Sequence, residues 1–466
     1  PAYHFRGIAL IQSERYEDAV NTFEQAIIRN STNPQSYYYL GIAYLQSKYY
    51  EKALGALTTA TDMDPSLSDG YMYQGMALSH LHCHEEAVVS LDKSLSANPS
   101  LMEALIYRAE SLIQIKQYAE AIETDDRILS LNPTLVEIWM QKGEANVSLG
   151  KKPEALIAFT KALEIDSNLS DGWVKKGHVL YDMGKTQDAI NAFSRGLEIN
   201  PSLLDIWIKK GDALNELGKT EDAITAYTKA VKIDPGLEEG WVKSGRAYYD
   251  LGRYQDAVDA FDNAISLNQQ CIEAFHYKGL SLEKINRVEE SIHVFEVLLE
   301  MDPANSSAQY HKGLALAKIG DHQDAIVSFD KTIALQPSAP VWYNKGRSLT
   351  EIGRYKEAVD AFTRALAIES AYTEVYYYLG YSYLKLGKYS EAIDSFDRNL
   401  ESDSSNAQGH FNRGIALQKL DRHKESLEAF DKALIYEPEN ALAFYHKGQS
   451  YAHLKLFSEA VFSFDK

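Results

Sequence analysis

The sequence contains little cysteine, proline or positive charge. Its 466 residues include only 2 cysteines, too few for a disulfide framework, so we expect a reducing, cytoplasmic setting. The 12 prolines argue against long disordered linkers. The net charge of −19 disfavours nucleic acid and anionic membranes as partners and favours a basic polypeptide. No apolar run approaches the ~20 residues of a membrane-spanning helix, and the first residues show no signal-peptide pattern.

Glycine recurs at a regular interval along most of the chain. The interval is 34 residues from Gly41 to Gly313, except that Ala109 takes one position, and one interval of 33 residues precedes Gly346. In most units a small residue follows twelve positions later, and an aromatic residue or leucine follows four positions after that. Such a period predicts an array of structural repeats. The fourteen predicted repeats lie near residues 1–33, 34–67, 68–101, 102–135, 136–169, 170–203, 204–237, 238–271, 272–305, 306–338, 339–372, 373–406, 407–440 and 441–466.

One unit, residues 204–236, contains the pattern of two amphipathic helices. The first carries Trp207 and Leu214 at helical spacing and ends at Gly218, a residue typical of helix C-termini. Thr220 follows as the expected N-cap of the second helix. Each repeat is therefore predicted to be a helix, a short turn and a second helix.

The order Trp, Gly, Ala, Phe, Ala, Pro within 34 residues resembles the tetratricopeptide repeat over essentially the whole chain. The resemblance implies an all-α fold, a single α-solenoid over residues 1–466 in which about fourteen helix-turn-helix repeats form a right-handed superhelix. It also implies a concave groove that is lined mostly by the first helix of each repeat. Members of the family usually bind peptides or proteins in that groove.

Five places of the first helix face the groove in this family: the second, fifth, ninth, twelfth and thirteenth, with the recurring glycine as the eighth. In repeats five to eight these places hold nine acids and one arginine, and towards the C-terminal end the fifth place becomes aromatic. This pattern favours a partner with basic residues and an apolar anchor. A solvated acidic face without a partner is the alternative in a chain of this charge. The predicted partner-binding residues are Glu144, Asp182, Asp212, Glu216, Arg246, Asp250, Tyr310, Tyr343, Arg347, Tyr377, Tyr381 and Phe411.

Residues 79–87 combine four potential metal ligands, His80, His82, Cys83 and His84. The repeat register assigns them to the turn between two helices, where other repeats have sequences such as Leu-Gly-Lys. We therefore predict a solvated turn in which His82 adopts a left-handed conformation. No arrangement typical of catalysis or phosphate binding is present, so we predict no catalytic residue, no metal and no cofactor.

Two polar residues interrupt the apolar places of the repeat. Asp125 occurs where most repeats have phenylalanine or leucine, and Asn146 occurs where most have leucine or tyrosine. A buried polar group without a partner costs about 1–3 kcal/mol. We therefore expect Asp125 to accept a hydrogen bond from Asn146, or otherwise from Arg108 or Lys142.

These patterns predict a scaffold for protein–protein interaction rather than an enzyme, with a peptide or protein bound in the concave groove. Two alternatives stay open. The array is then either the substrate-recognition arm of a larger enzyme whose catalytic domain lies outside this sequence, or a self-assembling array. End-to-end self-association would use apolar terminal residues such as Val461, Phe462 and Phe464.

Overall fold

The computed structural model describes residues 2–466, which form 28 α-helices and no strands. The all-α repeat-solenoid prediction is confirmed, because two helices begin in each of the fourteen predicted repeats. We call the first of each pair helix A and the second helix B. Two compact units are present, unit 1 ending at Asp234 and unit 2 spanning Pro235–Lys466. That both belong to one domain stays a prediction.

Unit 1 contains repeats 1 to 7. Its helices are α1 (Ala2–Gln12), α2 (Tyr16–Arg29), α3 (Pro34–Gln46), α4 (Tyr50–Met63), α5 (Ser68–His80), α6 (His84–Ala97), α7 (Met102–Gln114), α8 (Tyr118–Leu131), α9 (Val136–Ser148), α10 (Lys152–Ile165), α11 (Ser170–Asp182), α12 (Thr186–Ile199), α13 (Leu204–Glu216) and α14 (Thr220–Ile233).

Unit 2 contains repeats 8 to 14. Its helices are α15 (Glu238–Asp250), α16 (Tyr254–Leu267), α17 (Ile272–Lys284), α18 (Val288–Met301), α19 (Ser306–Lys318), α20 (His322–Leu335), α21 (Ala339–Glu351), α22 (Tyr355–Ile368), α23 (Val375–Lys385), α24 (Tyr389–Ser402), α25 (Ala407–Lys419), α26 (His423–Tyr436), α27 (Ala441–His453) and α28 (Phe457–Phe464).

Every turn between helices A and B contains one residue with a left-handed backbone. Seven of these residues are glycines, and the other seven are Glu14, Lys48, His82, Lys116, Asn286, Asp421 and Lys455. His82 has a φ of 60°, which confirms the prediction for this turn. The following amide, of Cys83, donates to the carbonyl of Leu78 at 2.9 Å, the closing bond of a Schellman motif. The N-cap prediction for Thr220 is wrong, because the helix already includes Thr220 and Lys219 occupies the N-cap.

The recurring glycine allows an aromatic ring of helix B to lie against helix A. A Cβ atom added at Gly143 would lie 2.4 Å from Cε1 of Phe159, well inside van der Waals contact. Repeat 4 departs from this rule at both positions, with Ala109 in place of the glycine and Asp125 in place of the ring. Both residues are 0% exposed. The alanine methyl group therefore fits because the ring is missing.

Asp125 does not have the partner that we expected. Its Oδ1 accepts a hydrogen bond from Nε2 of Gln141 at 3.3 Å, whereas its Oδ2 is buried without a partner. Asn146 donates instead to the carbonyl of Lys142, because that acceptor lies one turn earlier on the same helix. Burial raises the pKa of the Asp125 carboxyl to about 8; the charge of Asp126 adds to the rise and Lys142 opposes it.

We call the contact between helix B of one repeat and helix A of the next repeat a joint. Ion pairs connect the two helices at seven joints. In each pair, the basic residue takes the seventh place of helix A and the acid takes the twenty-fifth place of the preceding repeat. The pairs are Arg108–Asp92 (2.6 Å), Lys142–Asp126 (2.5 Å), Lys278–Asp262 (2.5 Å), Lys312–Glu296 (2.9 Å), Lys345–Asp330 (2.5 Å), Arg413–Asp397 (2.5 Å) and Lys447–Asp431 (2.5 Å). These bridges also explain why Arg108 and Lys142 do not bind Asp125: each has another carboxylate.

Candidate functional site

Three A helices of unit 1 carry the predicted acidic residues. Glu144 lies on α9, Asp182 on α11, and Asp212 and Glu216 lie one turn apart on α13. Residues four positions apart share a helix face, so the two carboxylates of α13 point to the same side. Asp212 is half-buried and the other three residues are exposed. We call these four residues the acidic surface.

The acidic surface has internal partners that the sequence did not reveal. Nζ of Lys175 lies 3.0 Å from Oε1 of Glu144, so one lysine of α11 neutralises a carboxylate of α9. The Tyr227 hydroxyl donates to Oδ1 of Asp212 at 2.8 Å. Both contacts orient the carboxylates, and Lys175 lowers the net charge of the surface. A signal was present, because repeats 6, 7 and 8 all have lysine at the sixth place.

Glu216 also receives a hydrogen bond, from the hydroxyl of Tyr181. This hydrogen bond, together with burial, raises the pKa of Tyr181 to about 12. The tyrosine therefore stays protonated and keeps donating at every physiological pH. The carboxylate of Asp182, the next residue in the chain, is exposed and forms no hydrogen bond or ion pair within residues 2–466.

Arg246 and Asp250 are the predicted site residues of α15 in unit 2. The guanidinium of Arg246 stacks over the ring of Tyr277, 4.2 Å from its centroid. Its Nε lies 3.8 Å from Oδ1 of Asp250, and its Nη1 lies 3.5 Å from Oε1 of Glu273. The one basic residue at the predicted groove places of repeats five to eight is thus held by two carboxylates and an aromatic face.

The fifth-place aromatic residues of unit 2 pack against helix B of their own repeats. In five repeats the two rings are tilted by 50–56° with centroids 6.0–6.2 Å apart. The pairs are Tyr310–Phe329, Tyr343–Phe362, Tyr377–Phe396, Phe411–Phe430 and Tyr445–Phe464. Tyr343 is only 9% exposed and Phe411 only 8%. These two predicted anchors therefore belong largely to the core, because the ring that faces the groove also fills the space beside helix B.

The tyrosine hydroxyls of this row are held by asparagines of the following A helices. Nδ2 of Asn344 donates to the hydroxyl of Tyr310 at 3.0 Å, and Nδ2 of Asn412 donates to that of Tyr377 at 3.4 Å. Sequence reasoning missed both asparagines, although each lies at the sixth place, next to the fifth-place aromatic residue. We call Tyr310, Tyr343, Tyr377, Tyr381 and Phe411 the aromatic surface.

Arg347 lies beside the aromatic surface on α21. Its guanidinium is 5.7 Å from the ring centroid of Tyr343 and 5.2 Å from that of Tyr378. It lines a cleft of about 280 Å³ between α19 and α21, together with Leu314 and Asn344. Tyr381 is only half-buried. Arg347 is exposed, so it and the half-buried Tyr381 offer surface to a ligand.

The histidine-rich turn of repeat 3 forms no compact cluster. His80 stacks on Tyr50 with ring centroids 4.5 Å apart, and the rings of His82 and His84 are 5.8 Å apart. Cys83 is exposed. Within residues 2–466, no three His, Cys, Asp or Glu side chains are arranged so that they could hold a metal ion. In the same part of the chain, none of the helices has the length and apolarity that crossing a bilayer requires.

Pairs of antiparallel helices joined by left-handed turns define a helical repeat protein. Family models agree with the repeat register, and the chain belongs to the tetratricopeptide repeat family. It is, accordingly, a protein-interaction scaffold. Models described as "Tetratricopeptide repeat" match residues 6–68, 136–169, 174–238, 238–271, 276–340, 373–406 and 407–440, and one described as "TPR repeat" matches 346–387.

Solved structures with the same kind of architecture resemble the chain only distantly. The Cut9–Hcn1 hetero-tetramer of the APC/C is 16% identical, with 95% of each chain covered and a TM-score of 0.37. YrrB, described as a TPR protein with an unusual peptide-binding site, is 24% identical over 41% of this chain and 98% of its own, with a TM-score of 0.38. Naa15/Naa10 bound to HypK is 13% identical over 100% of this chain and 80% of its own, with a TM-score of 0.44. No curated protein matches the chain.

Proposed function

We propose that the chain is a non-enzymatic, cytoplasmic scaffold whose A helices bind a protein or peptide partner. The partner has basic residues that contact the acidic surface and an apolar side chain that contacts the aromatic surface. Both cysteines are unpaired, which agrees with a reducing compartment. The observation that carries the proposal is the exposure of Glu144, Asp182 and Glu216 on three successive A helices of unit 1.

Electrostatic attraction is the first contribution to this binding. Carboxylates on one surface accelerate the encounter with a lysine- or arginine-bearing chain, and this attraction weakens with added salt. Lys175 cancels only part of the charge, because it pairs with Glu144 and lies 3.4 Å from Asp171. The internal hydrogen bond on Glu216 leaves its carboxylate with further acceptor capacity, since a carboxylate accepts up to about four hydrogen bonds.

Apolar contact is the second contribution. Tyr381 packs edge-to-face on Tyr355 at 6.4 Å, and the Lys385 ammonium lies 5.0 Å from the Tyr381 ring centroid. A tyrosine that is fixed by such neighbours loses little rotamer entropy when a ligand covers it. We therefore assign the apolar anchor to the surroundings of Tyr381 and Arg347 rather than to the buried Tyr343 and Phe411.

A charge-matched substitution experiment tests the proposal. The full chain is titrated against a fluorescein-labelled peptide of alternating lysine and leucine, and fluorescence anisotropy gives Kd at several salt concentrations. Converting the four acids of the acidic surface to amides should weaken binding by about tenfold and flatten the salt dependence. The substitutions are Glu144→Gln, Asp182→Asn, Asp212→Asn and Glu216→Gln.

The control removes four charges from exposed positions of B helices in the same unit. Its substitutions are Glu85→Gln, Glu123→Gln, Glu154→Gln and Glu221→Gln, all at exposed residues. We expect it to change Kd less than threefold. Equal losses in the two variants would reduce the acidic surface to ordinary solvated surface and contradict the proposal.

Self-association is a second candidate function. Val461, Phe462 and Phe464 of the α28 region are all exposed, and contiguous exposed apolar side chains mark association sites. Light scattering over a hundredfold range of protein concentration tests this. A molar mass that rises with concentration in the wild type but not in a Val461→Ser, Phe462→Ser variant would support it, and a constant monomer mass would exclude it.

A further inference from the structure

Two joints of unit 1 keep the lysine of the inter-repeat bridge but lack its acid. Lys176 and Lys210 occupy the seventh place of α11 and α13, where seven other repeats have a bridged lysine or arginine. The twenty-fifth places that would supply the carboxylates are Thr160 and Ser194. Within residues 2–466, neither ammonium takes part in an ion pair.

Other joints without the acid also lack the base. Where the twenty-fifth place is Thr58, the seventh place is Gln74, and its Nε2 donates to the threonine hydroxyl at 2.9 Å. Where it is Thr363, the seventh place is Leu379. Where the acid at the twenty-fifth place is missing, the basic residue at the seventh place is therefore missing too, except at Lys176 and Lys210.

Both lysines are held in partly buried positions. Nζ of Lys176 lies 5.2 Å from the ring centroid of Trp173, and Nζ of Lys210 lies 5.3 Å from that of Trp207. Each indole is fixed in turn, as Nε1 of Trp173 donates to the carbonyl of Ser167 at 2.9 Å. Burial lowers the pKa of Lys210, although the charges of Glu198 and Asp222 oppose the change. A cation held in this way gains from a counter-ion.

A cleft of about 650 Å³ lies beside Lys176, between α10, α11 and α12. Thr160, Trp173 and Lys176 line it, and Lys185 and Arg195 add positive charge. Asp188 and Glu198 line it as well, and Glu198 is already paired with Arg195 at 2.8 Å. We call this space the bridge cleft.

The bridge cleft is separate from the acidic surface. Trp173, Lys176 and Leu180 follow one another by three and four positions and so share one face of α11. The groove places of the same helix, such as Asp182, fall on the opposite face at 100° per residue. A ligand of the bridge cleft therefore does not compete with a ligand of the acidic surface.

We propose that the bridge cleft, with the equivalent position at Lys210, binds carboxylate side chains of an acidic protein segment. The chain itself shows which chemistry fits, because Asp and Glu carboxylates occupy this place at seven sister joints, at 2.5–2.9 Å from the base. Thr160 and Ser194 supply no carboxylate, and the bridge cleft beside Lys176 has room for one from another molecule. The ligand carboxylate accepts charge-assisted hydrogen bonds from Lys176 or Lys210.

The test restores the missing carboxylates within the chain. A fluorescein-labelled hexaglutamate peptide is titrated with the full chain at low salt, and Kd is measured by anisotropy. The Thr160→Asp, Ser194→Asp variant should bind at least tenfold more weakly, because Lys176 and Lys210 are then bridged as Lys142 is by Asp126. Its thermal stability should equal or exceed that of the wild type, which separates loss of binding from unfolding.

The controls separate local bridging from general charge. Ser130→Asp with Thr225→Asp adds the same two charges at exposed positions of α8 and α14 and should change Kd less than threefold. Lys176→Gln with Lys210→Gln should reproduce the tenfold loss even if the aspartate variant does not fold. Asp126→Thr, which frees Lys142, should tighten binding.

Three results would overturn the proposal: no binding by the wild type, full binding by both the aspartate and the glutamine variant, or displacement of the peptide by inorganic phosphate but not by acetate at equal ionic strength. The last result would assign the cleft to phosphate. Amide substitutions on the acidic surface should leave hexaglutamate binding in place, so failure of this proposal is distinguishable from failure of the proposed function.

Discussion

Units 1 and 2 carry their predicted acids and packed rings, respectively, at different places of helix A. In unit 1, four of the six ninth and thirteenth places of α9, α11 and α13 present carboxylates, and three of these are exposed. In unit 2, the fifth places present rings that are packed on helix B, and Tyr343 is nearly as buried as the core phenylalanines. Charge can therefore be removed from unit 1 without opening its core, whereas the ligand-facing rings of unit 2 also hold two helices together.

Unit 1 also departs from the repeat pattern at several places. It holds the buried carboxyl of Asp125 and the unbridged Lys176 and Lys210. It also has Lys116 at a left-handed turn position, which lysine does not favour. In unit 2, two of the three left-handed residues that are not glycine are Asn286 and Asp421, types that tolerate this backbone. The difference between the units can be tested by four substitutions.

The largest expected effect is the pH dependence that Asp125 gives to unit 1. An acid whose pKa is raised in the folded state keeps its proton there longer than in the unfolded chain, so stability is highest at low pH and falls as the pH rises towards 8. We expect a loss of about 4 kcal/mol between pH 5 and 8, at up to ~1.4 kcal/mol per pH unit. Asp125→Asn should remove this pH dependence of stability, which is measured as the protection of the unit 1 amides against hydrogen exchange.

Glu123→Gln is the matched control, because Glu123 is an exposed acid on the same helix. It should leave the pH dependence of exchange unchanged. Wild-type protein with equal protection of repeats 4 and 5 at pH 5 and pH 8 would show that the buried acid has an ordinary pKa.

Removal of a buried ring should have the next largest effect. Tyr343→Ala deletes a side chain that packs on Phe362, Tyr372 and Tyr378, and should destabilise the neighbouring repeats by about 3 kcal/mol. Because each repeat contacts mainly its neighbours, the loss should be local and is best measured by hydrogen exchange. Tyr445→Ala removes the same place in repeat 14, where the ring is 49% exposed, and should cost less than about 1 kcal/mol. Equal costs would remove the distinction between buried and exposed rings.

The third effect concerns binding. Tyr381→Ala should weaken the lysine–leucine peptide by about fivefold, close to 1 kcal/mol, mainly through faster dissociation. Stopped-flow anisotropy measures the two rate constants. The thermal stability should change little, since Tyr381 is half-buried. A change confined to the association rate would argue against an anchor at Tyr381.

The smallest effect concerns the turns. Lys116→Gly should stabilise unit 1 by about 1 kcal/mol, because glycine adopts the φ of 62° without the side-chain penalty. Asn286→Gly in unit 2 should gain less, since asparagine already tolerates this backbone. Urea denaturation followed by circular dichroism compares the two gains. A larger gain at Asn286 than at Lys116 would contradict the comparison between the units.

The fold could be predicted from the sequence because recurring residue types define the register of the repeats. Gly143 and Phe159, sixteen positions apart, mark the contact between helices A and B, and the position of His82 was enough to predict its left-handed turn. Both follow from backbone geometry, which is nearly identical in all repeats. The same register predicted which helix carries each site residue, but it did not predict how far each side chain is buried.

Side-chain partners were harder to predict, because they depend on reach and direction across two helices. Asp125 bonds to Gln141 rather than Asn146, and Lys175 reaches Glu144 on the preceding A helix. A comparison of the seventh and twenty-fifth places along this one sequence would have revealed the bridges. The burial of Tyr343 was not predictable in this way, since the same place is only half-buried at Tyr310 and Tyr377.

The presence of Ala109 instead of glycine and of Asp125 instead of a ring imposes an order on any mutational route back to the common repeat. Making Asp125→Phe first would force the new ring onto the Ala109 methyl group, because a Cβ atom placed on Gly143 would lie only 2.4 Å from the equivalent ring of Phe159. Making Ala109→Gly first costs only about 1 kcal/mol of helix propensity and opens the space that the ring needs. Repeat 4 can therefore regain the family pattern by single steps in one order of substitution, glycine before phenylalanine, and the reverse order passes through a misfitted core.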